Sequence, residues 1–343
     1  MAENNQNNNQ NLATNYISNL LTQSADCINR LEGKMKLGLF SAAFPQWSLE
    51  QLADWSAVNG FEMLEIACWP SGDFLSQKAS RRYAGMTHID VATLDKAKVK
   101  TICTMLDKKG LGISSLGYYP NPLSPDLEYR AGVIDHLKKV IVAAEMLAVP
   151  VIGTFIGKDK DKTVPANLEE YARVWPAIVK FAKDHNVKIA IENCPMIFSY
   201  DEWPGGNNLA STPAIWKKMW EIIPDDNFGL NLDPSHLVLQ MIDYERVVRE
   251  FKDKIFHVHA KDLQIDREGL YQNGVLSQGM GWQIPRLSGL GDMDWAKFIG
   301  ALYRFGYNDV ISIEHEDRAF EKTEELVKAG FLIARDVLRP YIK

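Results

Sequence analysis

From Leu37 onward the chain alternates short β-rich runs with longer stretches of helical period, and it does so eight times. The runs are LGLF (37–40), EMLEIA (62–67), GISSLGY (112–118), VIGTF (151–155), VKIAIEN (187–193), FGLNLD (228–233), IFHVHA (255–260) and VISIEH (310–315). Each is followed by a helical segment. The clearest, from Glu128 to Ala148, carries one apolar stripe through Val133, Ile134, Leu137, Val140, Ile141, Ala144 and Leu147, with Pro150 as its expected stop. Strands separated by helices run parallel, and eight such units predict an α/β (β/α)8 TIM barrel, a fold of about 250 residues plus insertions. A doubly wound sheet is the rival, but its first turn wants GxGxxG, and FSAAFPQWS stands there.

The barrel is assigned to residues 35–343. Residues 1–34 form an Asn/Gln-rich tail, expected to be disordered through ENNQNNNQN, with one short helix carried by Ile17, Leu20, Leu21, Ile28 and Leu31. Two connections are long, 67–91 and 263–293. Both follow strand C-termini, the active face of a barrel, and are read as structureless lids or binding loops.

Side chains alternate across a strand, so the bulky residues fix which set faces the barrel axis. Val187, Ile189 and Ile191 go outward, which turns Ala190 and Glu192 in; Leu230 and Leu232 go outward, which turns Gly229, Asn231 and Asp233 in. Phe256 and Val258 go outward against His257 and His259, and Ile311 and Ile313 against Ser312 and Glu314. Glu192, Asp233, His259 and Glu314 therefore converge at the C-terminal ends of strands five to eight. Three converging carboxylates repel one another and lose hydration, and a divalent cation resolves the conflict. Three oxygens and one imidazole suit Mn²⁺ first, with Mg²⁺, Co²⁺ or Zn²⁺ also accommodated. His257 lies roughly 6.6 Å deeper than His259; it is assigned to hold a ligand carboxylate from behind.

The net charge of −6 argues against a nucleic-acid surface. No apolar run reaches the roughly 18 residues of a membrane helix. Cys27, Cys68, Cys103 and Cys194 are scattered without CxxC pairing, as packing thiols of a cytoplasmic protein.

The segments AIENCPM, LNLDPSH, HVHAKD, GLGDMDW and ISIEHED, in this order, resemble the xylose isomerase-like TIM barrels, the sugar phosphate isomerase/epimerase group that includes ketose 3-epimerases, inosose dehydratase and endonuclease IV. The resemblance spans residues 36 to 340 and implies a metal on Glu192, Asp233, His259 and Glu314, with His236 on a substrate oxygen. Endonuclease IV carries further histidines after its seventh strand, and residues 263–293 have none. The epimerases place an Arg shortly after the metal His, whereas here Lys261 ends the strand and Arg267 and Arg286 lie farther on.

These readings predict a metal-dependent isomerase or epimerase acting on a keto sugar or polyol. The metal would chelate a carbonyl and a neighbouring hydroxyl and stabilise the enediolate left by proton loss, with Glu192 and Glu314 taking and returning the proton. Lys261 would meet a substrate oxygen or neutralise carboxylates, with Asp262 orienting it. His88, Trp69, Tyr118 and Arg286 are further substrate-binding candidates, and Trp47, Tyr119 and Trp282 offer aromatic faces for a sugar ring. Glu316 and Asp317 read as caps of the last helix. A lyase or dehydratase is the alternative, with Arg286 serving the leaving group; a non-catalytic sugar-binding barrel and a nuclease rank below it. A homo-oligomer, dimer or tetramer, is expected of barrels of this type.

Overall fold

The structure is a computed structural model and describes residues 34–71, 85–197, 206–277 and 281–342. The expected disordered tail and short helix within residues 1–33 lie outside the described residues. Strands β1 (Lys36–Phe40), β2 (Met63–Ala67), β3 (Gly112–Gly117), β4 (Val151–Thr154), β5 (Lys188–Glu192), β6 (Phe228–Leu232) and β7 (Ile255–Ala260) pair in sequence order, all parallel. After a two-stranded antiparallel sheet, β8 (Asp262–Ile265) and β9 (Gln283–Arg286), strand β10 (Val310–Ile313) pairs with both β7 and β1 and closes the barrel. Helices α1 (Leu49–Val58), α2 (Lys96–Lys109), α3 (Leu127–Met146), α4 (Val164–Asp184) and α5 (Pro213–Ile222) fill the first five crossovers. The short α6 (Ser235–Leu239) and then α7 (Tyr244–Phe251) follow β6, α8 (Arg267–Asn273) lies between β8 and β9, and α9 (Trp295–Arg304) and α10 (Glu324–Leu338) flank β10.

Local chemistry sets these limits. Asp95, Asp126, Thr163, Asp243, Asp294 and Thr323 each accept a hydrogen bond from a first-turn amide and so start α2, α3, α4, α7, α9 and α10. α2 ends on Gly110 in the left-handed conformation. The stop of α3 falls before Pro150: the helix ends at Met146, and Ala148 takes a positive φ while the amides of Ala148 and Val149 bond the carbonyls of Glu145 and Ala144. The last turn thus unwinds through its own carbonyls.

The alternation holds in the strands that build the barrel mouth. Ile189, Ile191, Leu230, Leu232, Val258, Ile311 and Ile313 lie fully within the core shared with the helices, beside Val133, Leu137, Val140 and Ile141 of α3. One residue departs from the expected phase. The β6–β7 register shifts between Leu230 and Asn231, so Phe256 is the extra residue of a bulge. Its ring lies against Gly229, where a Cβ would overlap it, and 4.9 Å from the Lys188 ammonium.

The connection 263–293 is not structureless. β8 and β9 form an antiparallel ladder from Asp262–Arg286 to Ile265–Gln283, and Leu239, Leu263 and Trp282 make a small apolar core of their own beneath it. Asp262 pins the excursion to the barrel: its carboxylate accepts from the amides of Leu263 (2.8 Å), Gly289 (2.9 Å) and Met293 (3.0 Å) and from the Trp295 indole (2.8 Å). It does not orient Lys261, as the sequence suggested. Among the described residues no helix is long and apolar enough to cross a membrane.

Removing the Asp262 carboxylate strands several buried donors, each costing about 1–3 kcal/mol. Asp262→Ala should therefore lower unfolding free energy by about 3 kcal/mol or more, with Asp262→Asn milder, in urea melts followed by circular dichroism. Equal stability of the Ala variant would show that these bonds do not hold the excursion.

Candidate metal centre

Parallel strands present all their C-terminal ends at one mouth, and the residues there come from four strands in a row around the barrel. Glu192 is the last residue of β5, Asp233 follows β6, His259 is the penultimate residue of β7, and Glu314 follows β10. All four are buried, and one ligating atom from each lies within 4.8 Å of the others. Sequence reasoning brought these four together correctly in space.

His236, at the start of α6, joins them: its Nε2 is 3.2 Å from Glu192 Oε1 and 3.2 Å from Asp233 Oδ2. The Lys261 ammonium sits among the same oxygens, 2.6 Å from Glu314 Oε2, 2.9 Å from Asp233 Oδ2 and 3.1 Å from Glu316 Oε2. Of the two roles expected for Lys261, the structure shows it neutralising carboxylates. It also corrects Glu316, which faces the ammonium rather than capping a helix. Asp317 caps only the short turn Arg318–Phe320, and the last helix is capped by Thr323.

The electrostatics follow from this crowding. Burial pushes the carboxyls of Glu192 and Glu314 up, but their neighbours outweigh it: the His236 and His259 hydrogen bonds and Lys261 hold Glu192 well below the usual range, and Lys261 and His259 hold Glu314 at about 2. Both are ionised at neutral pH. Burial likewise opposes the charged forms of His259 and Lys261, yet the surrounding carboxylates raise both well above their ordinary values.

Beneath the rim lies a polar layer in which the sequence reading turned Asn231 and His257 inward but missed Glu65. Glu65 of β2 is fully buried; its Oε2 is 2.8 Å from His259 Nε2 and its Oε1 accepts from the Tyr119 hydroxyl at 2.5 Å. Asn231 Nδ2 donates to Tyr119 Oη at 3.0 Å, and Asn231 Oδ1 is 3.0 Å from His257 Nδ1. Burial drives the His257 pKa down to about 4, so the ring is neutral at pH 7; with its Nδ1–H given to Asn231, its Nε2 accepts from Ser114 Oγ at 3.1 Å. The expected bond from His257 to a ligand carboxylate is therefore not made. With Glu65 Oε2 accepting from its Nε2–H, His259 has Nδ1 left to face Glu192 and Glu314. The signal for Glu65 was present: Leu64 and Ile66 are outward core residues, so the phase applied elsewhere turns Glu65 inward.

The residues fit a divalent cation. His259 Nδ1 is buried without a hydrogen-bond partner, with Glu314 Oε2 at 3.4 Å and Glu192 Oε1 at 3.9 Å. Among the described residues, Glu65, Glu192 and Glu314 face His259, and Asp233 and Glu316 join Glu314 against the Lys261 ammonium. Three carboxylates and an imidazole form a hard-to-borderline donor set.

Of the four other candidates, His88, Tyr118 and Arg286 stand elsewhere and Trp69 borders the site. His88 Nε2 donates to the Phe44 carbonyl at 3.1 Å. Tyr118 is buried edge-on against His136 and Trp69 and offers no open face, while Trp69 is buried beside Phe40 and Tyr119, the rings that adjoin His259. Arg286 pairs with Asp317 at 3.3 Å on the excursion. Of the aromatic faces, Trp47 stacks on Phe44 and Trp282 is buried under the hairpin.

A sequence profile described as xylose isomerase-like TIM barrel matches residues 53–337. The uncharacterized protein YfiH of Bacillus subtilis is 25% identical over 308 residues, covering 82% of this chain and 93% of its own. Among solved structures, the D-psicose 3-epimerase of Clostridium cellulolyticum H10, crystallised with D-tagatose, superposes with a TM-score of 0.61 at 16% identity, covering 90% of this chain and 99% of that one. The IolI protein with a bound zinc atom gives a TM-score of 0.63 at 18% identity, with 90% and 99% covered. At such identities the structural likeness establishes the fold.

Glu65→Gln should leave the barrel folded while loosening the orientation of His259. The expected result is a loss of about 10- to 100-fold in Mn²⁺ affinity by isothermal titration; unchanged affinity would remove Glu65 from the support of the site.

Proposed function

The chain belongs to the xylose isomerase-like TIM barrel family, and from its site we propose that it is a divalent-metal-dependent isomerase or epimerase of a keto sugar or related polyol. The observation that carries this reading is the unpartnered Nδ1 of His259 facing Glu192 and Glu314 while Glu65 holds the opposite nitrogen. Glu192, Asp233, His259 and Glu314 would hold the ion, Mn²⁺ by preference, with Mg²⁺, Co²⁺ or Zn²⁺ as alternatives. When bound, the ion supplies a Lewis acid for a carbonyl and the hydroxyl beside it.

The remaining chemistry belongs to the chain. Glu192 and Glu314 are held ionised, as a base must be before it takes a proton. Glu192 removes the proton from the carbon next to the carbonyl and, for isomerisation, returns that proton to the neighbouring carbon. For epimerisation, Glu314 takes a proton from the Lys261 ammonium 2.6 Å away and delivers it to the opposite face of the same carbon. The Glu192 proton then passes back to Lys261, 3.9 Å away, and resets the site. His236 contacts a substrate oxygen from the Glu192 side. Lys261 exchanges part of its carboxylate contacts for a substrate oxygen, with Glu316 keeping the ammonium in place. The buried walls of Phe40, Trp69 and Tyr119 exclude water from the proton transfer.

A lyase is the second reading, because the buried Lys261 ammonium beside Glu314 can protonate a departing oxygen after the same proton abstraction. A purely sugar-binding barrel has no use for three carboxylates at its rim, and a nuclease fits poorly with a net charge of −6. We place the protein in the cytoplasm, consistent with the free thiols of Cys68, Cys103 and Cys194, and acting on a small carbohydrate, as a homo-oligomer.

Two measurements test this. Metal-loaded protein incubated with keto sugars and keto-inositols in deuterium oxide should incorporate deuterium beside the carbonyl and yield a new stereoisomer by NMR; an unsaturated or cleaved product selects the lyase, and no exchange with any compound overturns the enzymatic reading. Asp233→Asn should weaken Mn²⁺ binding by more than about 100-fold, and binding that survives intact overturns the assigned ligand set.

A further inference from the structure

We propose that Glu192, Cys194 and His236 form a second cation site, suited to a borderline-soft divalent ion of the zinc or cobalt type, with Glu192 shared between this site and the four-residue group. One ligating atom from each of the three lies within 4.8 Å of the others. Cys194 lies two residues past Glu192 on the extended segment that leaves β5, and strand alternation sends both side chains the same way. The Cys194 Sγ accepts from the Met196 amide at 3.3 Å, which holds the thiol in place beside the group. His236 itself is buried, with a side chain 9% exposed, and its Nδ1 has no hydrogen-bond partner, although a buried imidazole nitrogen ordinarily finds one.

The donor set separates the two sites chemically. Three carboxylates and one imidazole favour a hard ion, whereas one sulfur, one nitrogen and one oxygen favour zinc or cobalt and leave a position open. A carboxylate has two oxygens, and a shared glutamate between neighbouring ions is a common device in two-metal sites. Binding forms a bond from Sγ to the ion and releases the thiol proton to solvent, with no change of oxidation state. The inference rests on the proposed function through Glu192, which both sites use, and through His236, whose Nε2 faces the first site while Nδ1 would serve the second. Sequence spacing had suggested packing roles for all four cysteines; this placement sets Cys194 apart.

Cobalt reports the two sites separately. Metal-free protein titrated with Co²⁺ should take up about two ions per chain, and the second should bring an intense near-ultraviolet charge-transfer band from thiolate to cobalt. Cys194→Ser should lose the band and about half of the bound cobalt, and Zn²⁺ should abolish the band in the unaltered protein. Cys194→Ala and His236→Gln, checked by thermal melting, should repeat the loss if the serine variant misfolds. Uptake of about one ion without the band overturns the second site and leaves the first standing, and a band that survives in Cys194→Ser assigns it to another thiol and equally overturns the proposal. Failure to bind any cobalt removes the four-residue site as well.

Discussion

The structure turns on the mutual repulsion of carboxylates gathered at one end of a closed barrel. Glu192, Asp233 and Glu314 arrive there because parallel strands all finish on the same side and because an alternation of two residues turns each of them to the axis. Glu316 adds a fourth charge at the rim and Glu65 a fifth below it. Hydration cannot screen groups buried this deeply, so fixed cations must balance them. Lys261 supplies one charge from just past β7, and the pull of Glu65 and Glu314 on the His259 imidazole shows the deficit that remains. A doubly charged ion answers that deficit with a better matched coordination shell than protons do, but the chain does not leave the whole task to it.

Support from below is what makes such a rim precise. Glu65 receives His259 and Tyr119, Tyr119 receives Asn231, and Asn231 receives His257, so one directed chain of hydrogen bonds runs across β2, β3, β6 and β7. The backbone makes room for it. A Cβ on Gly153 would overlap the Tyr119 hydroxyl, and one on Gly117 would sit 3.0 Å from both the Phe40 and Tyr119 rings. These glycines are required by close approach rather than by backbone conformation, and they let an aromatic ring cross the barrel axis beneath the charged layer. Orientation of His259 is thereby fixed before any ligand arrives.

The excursion after β7 extends the same logic outward. Asp262 opens β8 and gathers the amides of the returning chain, while the hairpin carries Arg286 to Asp317 beyond β10. The segment is thus tied at its root and at its far edge, with a small apolar cluster between. Its sequence contains two strands of only four residues each, joined by a longer polar stretch, and nothing in its periodicity distinguishes that from a loop.

Much of this was legible in the residues themselves. The eight-fold alternation fixed the barrel, and the phases of Ile189, Leu230, Val258 and Ile311 placed Glu192, Asp233, His259 and Glu314 on one face, because a strand's period is local and tolerates no ambiguity once a bulky residue is buried. The same rule would have found Glu65 had it been applied to β2. What the sequence could not carry were relations between strands: the bulge that turns Phe256 against Gly229, the pairing of His257 with Asn231 and Ser114 instead of a carboxylate, the arrival of Glu316 at Lys261, and the retreat of Tyr118 in favour of Tyr119. Those depend on register and on which long side chain reaches a shared space first. Periodicity decides the direction in which a side chain leaves its own strand, and only the closed barrel decides what it meets.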